Sequence, residues 1–243
     1  MYSYYGELCT KMYEVTKSAA DGKELEFYLA YAADKETRVL EPMCGNGRML
    51  IPFQQHGVNI EGFDLSEEML TVCRKKAERV GLTANVWADR IEAFTADKPY
   101  DLIFIPVGSF SLLPEELIKP SLMNLKRALK PDGRLLLTIV TDDIEIEEHD
   151  QWVETNRKKF GDEEIVEFRK VENDSTTKTL TTQLKYHLIK GKDVVQEERM
   201  NFPVLLYSEN IFKHILIQNG FQHVTIHYVK DGSDSFRVFE CSI

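Results

Sequence analysis

Long apolar runs are missing from these 243 residues. No stretch approaches the roughly eighteen apolar side chains of a membrane-spanning helix, so a membrane protein is not expected. The opening Met1-Tyr2-Ser3-Tyr4-Tyr5 lacks the basic-then-apolar pattern of a secretory leader, which points to the cytoplasm. Cysteine is sparse. Cys9, Cys44, Cys73 and Cys241 form no CxxC pair and no metal-ligand spacing, so free thiols in a reducing compartment are expected. Basic residues are in deficit, 30 Lys and Arg against 40 Asp and Glu, for a net charge of −10. Phosphate binding rests on clustered cations, so nucleic acid is not expected as a partner. The basic triplets Arg74-Lys75-Lys76 and Arg157-Lys158-Lys159 read as solvated helix faces. There is no HExxH or DxD constellation; His223 and His227, four apart in a candidate strand, fall on its outer face, and no metal site is expected. Internal repeats and low-complexity segments are also absent. What remains is a small-molecule protein, with 43% hydrophobic residues and enough length for a full core.

Up to about residue 140 short apolar runs alternate with helical patterns, which signals a parallel α/β sheet. Strand candidates are 37–42, 58–64, 84–88, 101–106 and 134–140. Ser66 caps a helix with Glu67 and Glu68 in its first turn. A later helix at about 120–130, with Leu122, Leu125 and Leu129 on one face, stops at Pro131-Asp132-Gly133. Beyond residue 141 the texture changes. Six acids crowd 142–150, and 163–206 read as antiparallel strands, the clearest alternating Leu180, Thr182, Leu184, Tyr186 and Leu188. Gly191-Lys192-Asp193 turns that strand into the next. A helix capped by Ser208, burying Ile211, Phe212, Ile215 and Leu216, and strands at 221–229 and 235–242 complete the chain. The expected fold is α/β: a doubly wound, mostly parallel seven-stranded sheet from residues 1–141 and 207–243, with a β-rich insertion, 142–206, after the fifth strand.

The most informative stretch is Arg38-Val39-Leu40-Glu41-Pro42-Met43-Cys44-Gly45-Asn46-Gly47. A strand ends in an acid and breaks into a loop with two glycines, followed by Met49, Leu50, Ile51 and Phe53, which would bury the next element. Such a loop lies at the carboxyl edge of a parallel sheet, where doubly wound folds bind nucleotides. A dinucleotide fingerprint needs a third glycine where this chain has Leu50. Glu41 would also repel a pyrophosphate at close range. Asp64, at the tip of the second strand, can accept from both ribose hydroxyls of an adenosine. The charge logic selects S-adenosylmethionine, which carries a sulfonium and an ammonium and no phosphate.

The motifs resemble those of the class I S-adenosylmethionine-dependent methyltransferases, in order across residues 38–140. Val39–Gly47 is similar to the first motif and Gly62-Phe63-Asp64-Leu65-Ser66-Glu67-Glu68-Met69-Leu70 to the second. Val86-Trp87-Ala88-Asp89, Tyr100–Ile105 and Leu129–Leu135 resemble the next three. Cys44 departs from the usual small residue, and Met43 is bulkier than average. The resemblance implies a cofactor-binding set of Glu41, Met43, Gly45, Asn46, Gly47, Asp64, Leu65, Met69, Asp89, Arg90, Pro106, Phe110 and Tyr13, with Ser109 beside Phe110 facing donor and acceptor. It implies S-adenosyl-L-methionine as cofactor and S-adenosyl-L-homocysteine as product. Tyr4, Tyr5 and Tyr13 resemble the aromatic lead-in of small-molecule members, and the insertion is similar in topology to the acceptor-covering sheet of sugar-amine and glycine or sarcosine N-methyltransferases. Trp152, Tyr186, His187 and Tyr207 are candidates for lining the acceptor pocket. No catalytic base is identifiable. The expectation is methyl transfer to a small molecule, nitrogen favoured over oxygen, by a monomer or homodimer. The rivals are a catalytically silent cofactor-binding scaffold and an NAD-dependent oxidoreductase.

Overall fold

The computed structural model describes residues 5–17, 19–34, 36–232 and 234–243. Tyr4, named above as a lid candidate, lies outside them. Two helices, α1 (Glu7–Thr16) and α2 (Gly22–Leu29), precede the sheet. Then follow β1 (Arg38–Pro42), α3 (Leu50–Gln55), β2 (Asn59–Asp64), α4 (Glu67–Arg79), β3 (Val86–Ala88), β4 (Tyr100–Ile105), α5 (Glu115–Ala128) and β5 (Leu129–Thr138). Strands β6 (His149–Phe160), β7 (Glu163–Asp174), β8 (Thr179–Lys190) and β9 (Asp193–Leu205) form a separate antiparallel sheet. Helix α6 (Glu209–Gln218), β10 (Gln222–Asp231) and β11 (Asp234–Ser242) close the chain.

The main sheet runs β10-β11-β5-β4-β1-β2-β3, with β11 the strand that turns it antiparallel. Strands β1, β2 and β4 pair in parallel, so the loops after them share one edge. Val39, Leu40, Leu102, Ile103 and Phe104 are fully or almost fully buried, as strands covered on both faces demand. Ser66 caps α4 by accepting from Met69 N–H at 3.2 Å, and Ser208 caps α6 by accepting from Ile211 N–H at 3.3 Å.

Several elements differ from expectation. Helix α5 begins at Glu115, earlier than 120, and carries Pro120 inside it. Its signal is Pro114 before two acids, a plain helix opening. Strand β5 begins at Leu129, and Pro131-Asp132-Gly133 forms an irregularity within its pairing to β4. Residues 149–160, including Arg157-Lys158-Lys159, are an edge strand and not a helix face. Ile211 is 57% exposed, so Phe212 and Leu216 alone form the fully buried stripe of α6. His223 has a positive φ at a bulge in β10, while His227 Nε2 meets Glu240 Oε2 at 2.7 Å.

The second sheet is anchored twice. At its base Thr141 bridges Tyr207, and Arg237 pairs with both Asp143 and Glu209, clamping the entering and leaving strands. On its inner face Tyr186, Leu188, Met200 and Ile165 cluster with Leu8, Cys9 and Met12. The alternation of β8 is thus buried mainly by the N-terminal helix, a partner about 180 residues away in sequence.

Candidate active site

The loops after β1, β2, β3 and β4 enclose a cavity of about 800 Å³. The first of these loops turns sharply: Met43, Gly45 and Gly47 all have positive φ, at 59°, 52° and 74°. It is fixed by Cys44 N–H donating to Phe63 O at 3.1 Å and by Gly45 N–H donating to Asp64 Oδ2 at 2.9 Å. At the far rim Val107 holds a φ of 59°, a costly conformation for a β-branched residue. It also lines the cavity. Close approach of α3 to the sheet is arranged from the strand side. A Cβ on Gly62 would lie 2.8 Å from Glu41 O and 2.9 Å from Leu50 Cδ1. That explains how a leucine can stand where a dinucleotide fold places its third glycine.

Glu41 is 2% exposed, lines the cavity, and leaves Oε2 without a hydrogen-bond partner. Burial raises its carboxyl well above the usual range, against the pull of Arg48 and the Leu50 N–H. Arg48 also lines the cavity. It pairs with Glu24 and leaves a buried Nη1 unpaired. A carboxyl and a guanidinium, each with an unmet hydrogen-bonding atom, therefore belong to residues that line one cavity. Asp64 accepts from Gly45 N–H and, at 2.9 Å, from Ser66 N–H, while burial raises its carboxyl. Asp89 accepts from Trp87 Nε1 at 3.2 Å and from Arg90 N–H at 2.8 Å. Asn46 is 1% exposed and donates to Glu14 Oε2 at 2.8 Å, tying the loop to α1. Exposed Leu65 and buried Met69 supply an apolar wall.

Of the residues singled out from sequence, Glu41, Met43, Gly45, Asn46, Asp64, Leu65, Met69, Asp89, Arg90, Pro106 and Tyr13 line this cavity. Gly47 and Phe110 do not. A Cβ on Gly47 would meet Cys73 Sγ at 2.5 Å, so this glycine makes room for α4 and not for a ligand. Phe110 is fully buried against Phe212, and its neighbour Ser109 takes the cavity wall. Trp152, Tyr186, His187 and Tyr207 are likewise absent from the lining, as is every residue of 142–206. Sequence reasoning passed over Arg48, Glu68, Glu92 and Glu116. Arg48 had a readable signal, a lone cation between the second glycine and an apolar run; the glutamates looked like ordinary exposed acids.

Residues 39–133 match the family described as a methyltransferase domain. A ubiquinone biosynthesis O-methyltransferase of Coxiella burnetii is 30% identical over 112 residues, 44% of each chain. The chain thus spans about half the length of the curated relatives it matches. Among solved structures, a sugar N-methyltransferase from Streptoalloteichus sp. has a TM-score of 0.75 at 14% identity, covering 100% of this chain and 96% of that one. An amino pentose methyltransferase from Micromonospora echinaspora, solved with S-adenosylmethionine bound, gives 0.70 at 13%, covering 100% and 99%. Both likenesses include the antiparallel sheet and show the fold. Among the described residues no helix is long and apolar enough to cross a membrane.

Proposed function

We propose that this chain transfers a methyl group from S-adenosyl-L-methionine to a small-molecule amine, a reading supported by the match of residues 39–133 to the methyltransferase-domain family and by the likeness in fold to an amino pentose methyltransferase solved with S-adenosylmethionine bound. The observation that carries the reading is a pair of cavity-lining residues, Glu41 and Arg48, each with a buried side-chain atom, Oε2 and Nη1, that has no partner. A buried carboxylate oxygen wants a cation and a buried guanidinium N–H wants an anion, which is the charge pattern of an amino-acid terminus. A pyrophosphate would meet the carboxylate of Glu41 and be repelled.

In this reading Glu41 holds the α-ammonium and Arg48 the α-carboxylate. Asp64 takes the ribose hydroxyls, and Leu65, Met69 and Asp89 hold the adenine. The bound cofactor supplies an activated methyl group on a sulfonium, a reaction that asks mainly for alignment of the acceptor. Glu68, Glu92 and Glu116 line the same cavity and, with the acidic segment 142–150, raise the local concentration of a cationic amine. The amine preference draws support from the sugar N-methyltransferase and the amino pentose methyltransferase among the similar folds. Residues 1–141 and 207–243 serve as the cofactor-binding core, with 142–206 as the cover on the acceptor side.

Calorimetric titration tests the cofactor. Saturable binding of S-adenosyl-L-homocysteine is expected, and binding of NAD in its place would overturn the reading. A screen of amines and hydroxyl compounds coupled to S-adenosyl-L-homocysteine release tests the reaction. Turnover confined to hydroxyl acceptors would refute the amine preference. Binding without any turnover would leave the scaffold role.

A further inference from the structure

We infer that Glu198, on the second sheet, is a positioning residue that sets the roof of the cavity through α1. The proposal rests on the methyltransferase reading only for the identity of the ligand in the test. Helix α1 opens at Gly6 with no side-chain cap of its own. Its first-turn N–H groups, orphaned in any helix, are met from far along the chain. Leu8 N–H donates to Glu198 Oε2 and Cys9 N–H to Oε1, each at 3.0 Å. The carboxylate thus takes both positions of a cap and complements the helix dipole.

Gly6 has an ordinary φ of −71°, so backbone conformation does not require glycine there. Space does. A Cβ at position 6 would lie 2.5 Å from the Glu198 carboxyl carbon. Glu198, Met200 and Phe202 alternate along β9 and share its inner face. Met200 packs among Leu8, Cys9 and Met12, and Phe202 stacks on Tyr5 with ring centroids 5.1 Å apart. Tyr5 in turn meets Tyr13 edge-on at 5.9 Å, and both rings line the cavity. At the other end of α1, Glu14 accepts from Asn46 of the glycine loop and pairs with Lys76 at 3.3 Å.

Helix α1 is therefore a beam resting on the second sheet at one end and on the cofactor loop at the other. The sheet itself contributes no side chain to the cavity lining. Its hold on a bound ligand passes through the seat of α1 that Glu198 provides. By linkage, a ligand that draws Tyr5 and Tyr13 inward tightens α1 on the sheet to the same degree.

Three variants test this: Glu198→Gln, which removes the charge and one acceptor; Gly6→Ala, which puts a methyl group where the carboxylate sits; and Glu197→Gln as control, on the opposite face of β9, where Glu197 pairs with His187 and Arg199. Amide exchange over residues 7–16 is read without ligand, and S-adenosyl-L-homocysteine affinity by calorimetry. Loss of a helix cap should speed α1 exchange about tenfold in the first two variants. Affinity should fall about fivefold, with KM for S-adenosyl-L-methionine raised and kcat kept. The control should change neither. Unaltered α1 exchange in both variants overturns the proposal. Faster exchange with affinity within about twofold of wild type overturns it too, leaving Glu198 a purely structural cap. Should the wild type fail to bind S-adenosyl-L-homocysteine, the methyltransferase reading falls. In that case an unchanged affinity gives no account of Glu198, and the exchange alone decides whether it seats α1.

Discussion

The floor and the roof of the cavity are built by different means. The floor is backbone and buried charge: three positive-φ residues in one loop, an N–H locked on Asp64, and a carboxylate whose Oε2 has no partner. The roof is two tyrosine rings, Tyr13 on a helix and Tyr5 just before it, and the helix is seated by a carboxylate from another sheet. A floor of this kind is preorganised and has little freedom to lose on binding. A roof held by side chains at its ends can open and close at modest cost. The floor then provides the bulk of the affinity, and the roof adjusts it.

The largest expected effect lies in the floor. On the proposed reading Asp64→Ala loses charge-assisted hydrogen bonds to two ribose hydroxyls, and affinity for S-adenosyl-L-homocysteine should fall by about 2–4 kcal/mol. The same change leaves Gly45 and Ser66 N–H without their acceptor, so Tm should drop as well. Asp64→Asn, which still accepts at one oxygen, separates the two losses. Wild-type affinity in both variants would mean that the second strand tip does not touch the ligand.

Glu41→Gln should come next, and its two effects have opposite sign. A buried carboxyl with a raised native pKa contributes stability below the unfolded value near 4.5, which is lost as pH rises through the native value. The glutamine variant has no such loss, so without ligand it should melt higher than wild type at neutral pH. Its affinity for the aminoacyl end should fall by about 1.5–3 kcal/mol. Since a cationic end favours ionised Glu41, binding to wild type should release protons in acid buffer, a release absent in the variant. Calorimetry in buffers of different ionisation enthalpy measures it.

Much of the floor could be read from sequence because it is local. Glu41, Gly45 and Asp64 sit at strand tips marked by short apolar runs and turn residues, and one loop brings them together. Phe110 and Ser109 show the limit of that reading: one residue of register in a tight turn decided which faced the cavity. Gly47 was assigned to the ligand when its Cβ direction points to Cys73. The roof was less legible. The pattern of β6, His149–Phe160, is mostly polar, with Trp152, Val153 and Phe160 too scattered to mark a buried face, since it is an exposed edge strand. The alternation in β8 announced a buried face, yet what buries it is a helix about 180 residues away, and no local pattern names such a partner.

Gly47→Ala sharpens this correction. Its methyl group meets Cys73 Sγ at 2.5 Å on a backbone with φ of 74°, so overpacking and strain should cost about 2 kcal/mol of stability. The resulting fall in Tm is expected to be about 4–8 °C at this chain length. Ligand affinity measured well below the melting range should change little. A large loss of affinity with unaltered Tm would return Gly47 to the cofactor site.

The smallest expected effect belongs to the roof. Phe202 is half-buried on β9, does not line the cavity, and reaches it through its contact with Tyr5. Phe202→Leu keeps an apolar side chain on the inner face of the sheet and removes the ring contact. Such an aromatic pair is worth about 0.5–1.5 kcal/mol beyond its buried area, and only the part that differs between open and closed roof reaches the ligand. Affinity for S-adenosyl-L-homocysteine should therefore fall by about two- to fivefold, or 0.4–1 kcal/mol. Its dissociation should quicken in the same proportion while association stays constant, because the floor that receives the ligand is untouched. Stopped-flow displacement measures both rates. An effect as large as that of Asp64→Ala would mean that the rings, and not the backbone cradle, supply the affinity, and the division of labour between floor and roof would have to be reversed.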